Sequence, residues 1–325
     1  MTAMTQLRKL AAFLGIALVT FGAHAQATFP SKTVTLLVPY GAGGSADVLA
    51  RSLGDKLSKT WNVPVVVDNR SGANGIVATQ ALMRAPADGH TILMQLTGVI
   101  QNLSLYKKLP YDPFVDIVAV TQIGTQPMGL AVSPQSPHKD VISLVKALAS
   151  DPSKGAYGSF GTGSTGHIFG ELLRSSARST MPHVPYRGEA PLIPEIMTGR
   201  VDLGFVSTAT AAERGNDGTL RILAVTGPKR QPTLPNVPTM DEVGLKGFDI
   251  VGWYGLFVPK GTPAKTVERI SEDTKAALAR PEMLYRFKQL AIEPTGTTPK
   301  QFEAILHEDF NRWDALIKRF NIAVE

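Results

Sequence analysis

Two short glycine-rich stretches have the composition of ligand-holding loops: "VPYGAGGSADVLAR", residues 38–51, and "GTGSTG", residues 161–166. Glycine lets main-chain N–H groups turn toward a ligand and approach it closely. Each stretch runs into a helical pattern, and a helix N-terminus adds partial positive charge. Four chemistries compete for such loops: a dinucleotide or polyphosphate, a catalytic nucleophile, a metal, or a lone carboxylate.

Residues 161–166 match G-x-G-x-x-G letter for letter, and acidic Glu189 lies downstream as the dinucleotide fingerprint asks. The strand before them, "GAYGSF", lacks the apolar run of a buried first strand, and Glu189 follows "VPYRG", past a strand end. Neither loop has G-K-[ST], so no lysine reaches a phosphate and no following hydroxyl holds magnesium. Asp47 in the first helical turn suits the helix dipole but would repel a polyanion. A nucleophile elbow needs G-x-S-x-G. Ser45 and Ser164 each lack one of its glycines, replaced by Asp47 and Thr162. The histidines are isolated in sequence, and the i, i+4 pair His167 and Glu171 supplies two ligands where a metal site wants more. No metal or cofactor is therefore expected. A single carboxylate remains the natural guest: compact, singly charged and satisfied by a few amide donors.

Such loops need rigid elements behind them. "TVTLLVPY" reads as a strand, and "ADVLARSLGDKLSKTW" as a helix with Leu49, Leu53 and Leu57 on one face. "VPVVVDN", "GIVATQALMRA" and "HTILMQL" continue as strand, helix and strand. This β-α-β-α-β order with apolar strands predicts a parallel sheet covered on both faces. The alternation restarts at "MGLAVSP" and runs through "DVISLVKALAS", "GAYGSF", "HIFGELLRSSAR", "HVPY", "APLIPEIMTG", "VDLGFVS" and "LRILAVTG". Two α/β units in series predict two doubly wound lobes. "VGWYGLFVP" reads as the return crossover, with Trp253 and Tyr254 as hinge packing, before a helical tail. In that tail Thr298 and Gln301 form a capping box, with Pro299 in the first turn. Phe302, Ile305, Phe310, Trp313, Leu316, Ile317 and Phe320 form a stripe for packing against a domain.

The chain has 325 residues and no cysteine, which excludes disulfides, thiolate metal sites and lipoprotein anchoring. Residues 1–25 carry Arg8 and Lys9, the apolar "LAAFLGIALVTFG", then "AHA", the plan of a secretory signal peptide. That apolar run is shorter than the roughly 20 residues a bilayer needs. A leader without disulfides points to a bacterial periplasm. Net charge is +6, or +4 without Arg8 and Lys9, and the basic residues are scattered. Nucleic-acid binding would want a basic stripe, so small anions are the better partners.

The ordered segments "FPSKTVTLLVPYGAGGSADVLAR", "VVVDNRSGANG", "PADGHTILM", "LYKKLPYDP", "YGSFGTGSTGH", "VPYRG", "VDLGF", "LPNVPTMDEVG" and "WYGLFVPKGTP" together look like the Bug family. These are periplasmic solute receptors associated with tripartite tricarboxylate transporters. The resemblance covers nearly the whole chain after the leader. It implies a type II periplasmic-binding-protein fold, with two α/β lobes joined by two crossover segments and the ligand between them. It also implies that main-chain amides of Tyr40 to Asp47 and of Ser159 to His167 grip one ligand carboxylate, often through waters. The expected lobes are residues 26–126 with 252–325, and residues 127–251. The chain departs from the common family pattern at Val206, where many relatives are acidic, at Glu189, where a glycine is usual after "PYRG", and over "TGVIQNLSLY". The missing carboxylate at Val206 argues against a ligand ammonium.

The candidate ligand set is Tyr40, Ala42, Gly43, Gly44, Ser45, Asp47, Thr97, Ser159, Phe160, Gly161, Thr162, Gly163, Ser164, Thr165, His167, Tyr186, Arg187, Phe205 and Ser207. Tyr40, Phe160, Tyr186 and Phe205 end strands, where each would either flank a ligand or join the core. Arg187 would pair a distal carboxylate, or stay solvated or bound to Glu189. The expected role is a non-catalytic, monomeric receptor delivering a small carboxylate to membrane transporter components. A lobe serving a sensor kinase and a periplasmic hydrolase stay open beside it, since catalytic triads are recognised by geometry and hide from sequence.

Overall fold

The structure, a computed structural model, describes residues 29–324. The leader at residues 1–25 lies outside them. In chain order the first strands and helices are β1 (Val34–Val38), α1 (Ser45–Trp61), β2 (Val65–Asn69), α2 (Ile76–Met83), β3 (Thr91–Leu96), α3 (Gly98–Leu105) and β4 (Ile117–Gln126). Then follow β5 (Met128–Val132), α4 (Val141–Ser150), β6 (Tyr157–Ser159), α5 (Thr165–Ser176), β7 (His183–Pro185), α6 (Glu189–Met197), β8 (Leu203–Ser207), α7 (Thr208–Asn216) and β9 (Arg221–Val225). The chain closes with β10 (Gly252–Pro259), α8 (Ala264–Leu278), α9 (Pro281–Gln289), β11 (Glu293–Pro294) and α10 (Pro299–Arg319).

The strands form two sheets, ordered β11-β4-β10-β3-β1-β2 and β7-β6-β8-β5-β9. The chain leaves the first sheet at Pro127 and returns to it through residues 226–251. β1 runs parallel to β2 and β3, as their continuous apolar faces predict. Both sheets are nevertheless mixed. β10 is antiparallel to β3 and β4, and β5 is antiparallel to β8 and β9. This corrects the reading of "VGWYGLFVP" as a crossover. Aromatic and β-branched residues suit a pleated surface, and both faces of β10 are covered, with Trp253, Tyr254, Leu256, Phe257 and Val258 all buried.

The helices pack as their patterns direct. Leu49, Leu53 and Leu57 of α1 are buried, and the helix stops at Asn62, whose φ of 54° is left-handed. The capping box of α10 forms, with Thr298 accepting from the Gln301 N–H and Gln301 accepting from the Thr298 N–H. Trp313 of α10 is fully buried, and its ring centroid lies 5.5 Å from that of Phe169 on α5. The tail helix therefore joins the two sheets' layers. Truncating Trp313 to Ala would cost about 3–5 kcal/mol.

Candidate functional site

The first loop leaves the carboxyl end of β1 and opens α1. Gly43 takes φ +88° and Gly44 caps the helix with no side-chain hydrogen bond. Residues 41–44 are exposed. The first-turn N–H groups of α1 have no intrahelical acceptor, so they point outward as donors. What holds the loop in shape was not visible in the glycine spacing. Buried Asp47 accepts from the Gly43 N–H at 3.0 Å and from Arg51 Nε at 3.0 Å. Arg51 also donates to Asn69 Oδ1 at 3.2 Å, and Asn69 Nδ2 donates to the Tyr40 carbonyl at 2.9 Å. The Arg51 hydrogen bond holds the Asp47 carboxyl below its ordinary range. Asp47 is thus an internal brace of the loop, and its charge is spent on Arg51.

The second loop follows β6 and opens α5. Gly161 and Gly163 take φ +140° and +76°. Ser164 Oγ caps α5 by accepting from the His167 N–H at 3.3 Å. His167 Nδ1 accepts from the Gly163 N–H at 3.0 Å. His183 Nε2 sits 2.7 Å from Ser159 Oγ, which also accepts from the Gly161 N–H at 3.2 Å. The two imidazole rings stack. Beneath them Tyr157 bonds Glu171, which bonds Arg174. His167 therefore holds the loop from inside, and its partner His183 was invisible because the two lie on different elements.

A relay of side chains links the loops. Tyr40 Oη donates to Asn74 Oδ1 at 3.5 Å, and Asn74 Nδ2 donates to Asn102 Oδ1 at 2.9 Å. Next to Asn102, Gln101 Nε2 donates to Thr165 Oγ1 at 3.4 Å. Burial pushes the Tyr40 hydroxyl up to about 12. A Cβ at Gly163 would meet Val324 Cγ2 at 2.9 Å and Leu105 Cδ1 at 3.0 Å, so the second loop abuts the first sheet's layer. Asn69, Asn74, Gln101 and Asn102 carry no motif that spacing alone reveals.

The remaining candidates divide. Phe160 and Tyr186 are half-buried beside the second loop: Phe160 covers Gly166, and the Tyr186 N–H donates to the Ser159 carbonyl at 2.9 Å. Ala42, Ser45 and Thr162 lie on the loops at exposed or half-buried positions. Thr97 Oγ1 accepts from the Trp253 N–H at 2.9 Å, which makes it a tie to β10. Ser207 caps α7 through its hydroxyl. Phe205 is wholly buried against Phe169 and Phe248, in the core. Arg187 is exposed and has no ion pair among the described residues. Glu189 is not its partner: Glu189 Oε1 accepts from the Ser207 N–H at 2.6 Å.

Comparison with known proteins gives this geometry a context. The profile of the tripartite tricarboxylate transporter family receptor matches residues 49–322. The chain belongs to that receptor family. A protein from the tcbD–tcbE intergenic region of Pseudomonas sp. strain P51 is 36% identical over 318 residues, covering 97% of this chain and 95% of its own. BugT of Bordetella pertussis is 29% identical over 95% of this chain and 97% of its own. Among solved structures, the periplasmic binding protein BugD superposes with a TM-score of 0.81 at 31% identity, covering 91% of this chain and all of BugD. R. palustris Rpa4515, solved with adipate, gives 0.83 at 31% identity over 91% of this chain and 100% of its own. The tricarboxylate transporter receptor family consists of solute-binding proteins. The chain is accordingly a solute-binding receptor of α/β periplasmic-binding-protein fold, and not an enzyme. Among the described residues no helix is long and apolar enough to cross a membrane.

Proposed function

We propose that this receptor works in the periplasm, after removal of residues 1–25, and that it holds one ligand carboxylate between the loops at 40–47 and 159–167. The lobes that close on it are residues 26–126 with 252–325, and residues 127–251. It then passes the ligand to the membrane components of a tripartite tricarboxylate transporter. One observation carries this reading. Two glycine loops from different sheets each open a helix, and each is braced from behind by a buried side chain, Asp47 or His167, that occupies the Gly43 or Gly163 N–H. The remaining amides are left for a guest, and helix N-termini favour an anion there. Related receptors solved with adipate and with malate support the ligand class. Thermal shift against a panel of mono-, di- and tricarboxylates tests it, because a ligand that binds only the folded chain raises the midpoint. No rise with any carboxylate would defeat the proposal.

A further inference from the structure

The second glycine loop meets the first sheet's layer at two points, and both fall on α3. Gln101 Nε2 donates to Thr165 Oγ1 at 3.4 Å. One turn along the same helix face, Leu105 lies against Gly163. A Cβ placed on Gly163 would come within 3.0 Å of Leu105 Cδ1 and 2.9 Å of Val324 Cγ2. Both are shorter than the roughly 3.5–4.0 Å of an ordinary carbon–carbon contact. Only a bare Cα fits that seat. Leu105 is buried and Val324 half-buried.

Val324 arrives there by a defined route. α10 ends at Arg319, and the chain turns back through Asn321, whose φ of 51° is left-handed, a conformation asparagine tolerates. The Ile322 N–H donates to the Ile317 carbonyl at 3.0 Å, and the Ile322 side chain is buried. The Val324 N–H donates to the Leu105 carbonyl at 2.9 Å, and Val324 pairs with Tyr106 as a parallel bridge. α10 is itself pinned to α3, where Ser104 Oγ donates to Asp314 Oδ1 at 2.6 Å. Residues 321–324 thus form a short strap across the end of α3.

Gly163 is held from two sides. From within its own loop, His167 Nδ1 accepts its N–H at 3.0 Å. From the other layer, Leu105 and Val324 close on its Cα. Valine is stiff at χ1, so Val324 makes a firm stop. Ser164 and the first turn of α5 follow at once, and a shift of Gly163 would carry their N–H groups with it.

We propose that Val324, together with Leu105, is a positioning residue for ligand binding: the strap at 321–324 is the seat on which the second loop takes its carboxylate-holding shape. The inference rests on the two-loop carboxylate reading. Val324 acts through Gly163 and not on the ligand. Seat and loop belong to different sheets, so the loop keeps this shape only while α3 and the start of α5 are apposed. Ligand capture and that apposition must then favour one another.

The test compares Val324→Ala, which removes Cγ2, with Val324→Ile, which keeps it. In amide hydrogen exchange on the ligand-free chain, Val324→Ala should speed exchange at Gly163 and Ser164 about tenfold. Val324→Ile should match the native chain. Calorimetry then uses adipate, malate and citrate as probes, and the tightest of the three on the variants. Val324→Ala should lose about 3- to 10-fold in affinity and Val324→Ile less than about twofold. A double-variant cycle with Gly163→Ala separates positioning from general damage. In Gly163→Ala/Val324→Ala the new methyl enters the space that Val324 leaves. The combined loss should therefore fall short of the product of the single losses by about threefold or more. Unchanged exchange, unchanged affinity in Val324→Ala, or losses that simply multiply would overturn the positioning role while the native chain still binds an acid. Failure of the native chain to bind any of the three acids would overturn the two-loop reading, and the proposal with it.

Discussion

His167 and His183 stack face to face with ring centroids 3.8 Å apart and planes 8° from parallel, directly behind the second glycine loop. Burial, with Arg174 adding for His167 and His167 adding for His183, lowers each imidazole to about 4. Unfolded histidines take a proton near pH 6.5. The unfolded chain therefore binds more protons between about 6.5 and 4, and stability must fall as pH drops through that window. The loss attributable to the pair is on the order of 1–3 kcal/mol at pH 4. Asp309, pushed up to about 6 by burial, and Glu189, also raised, drive the slope the other way. Denaturant unfolding of the native chain and of His167→Gln/His183→Gln at pH 7 and pH 4.5 isolates the pair. The double variant should show the smaller acid loss, and equal losses would contradict the assignment.

Protonation also removes the acceptor that fixes Gly163. Ligand affinity should therefore weaken toward pH 4 more steeply than ligand ionisation explains.

The glycines of the second loop are separable from glycines of similar geometry elsewhere. Gly163 at φ +76° abuts Leu105 and Val324, whereas Gly218 at φ +76° has open space around its Cα. Alanine at either position carries about 1–2 kcal/mol of backbone strain. Only Gly163→Ala should also displace the loop, lowering ligand affinity by about tenfold or more. Gly218→Ala should leave affinity alone. Isothermal titration of both variants decides this, and equal affinities would count against the loop's role.

The first loop depends on a brace made of Asp47, Arg51 and Asn69. Arg51→Ala leaves the Asp47 carboxylate buried with the Gly43 N–H and without its cation. We expect faster amide hydrogen exchange confined to residues 40–47 and a loss of ligand affinity of about 3- to 10-fold. Global unfolding should shift little, because Arg51 is half exposed and solvent screens its pair. Exchange unchanged in that segment would show that the brace is idle.

Much of this frame was legible in order along the chain. The apolar runs of β1 and β3, the leucine face of α1 and the capping box of α10 each speak through local spacing. β10 did not, since its place between β3 and β4 depends on strands more than a hundred residues earlier. The same limit hid the site's supports. The pairs Asp47–Gly43 and His167–Gly163 are four residues apart and could in principle be read. Gln101–Thr165, His167–His183 and Glu189–Ser207 exist only once the sheets set their neighbours. Phe205 ends an apolar strand at the loop edge, yet its side chain alternates into the core against Phe248.

Gln101 Nε2 donating to Thr165 Oγ1 ties α3, beside the first sheet, to the start of α5 beside the second. If the two lobes close on a ligand, Gln101→Ala should weaken the closed form. Small-angle scattering should show a smaller radius of gyration for the ligand-bound native chain, and a smaller ligand-induced change in the variant. Identical responses of the two chains would remove Gln101–Thr165 from the closure.

The central claim is that both loops hold one carboxylate through main-chain amides. Calorimetry on the protein lacking residues 1–25, with the tightest acid from the carboxylate panel and its primary amide, tests this most directly. The amide removes the charge and turns an NH₂ group toward donors, so the account predicts affinity lower by about a hundredfold. Equal affinity for acid and amide would contradict it.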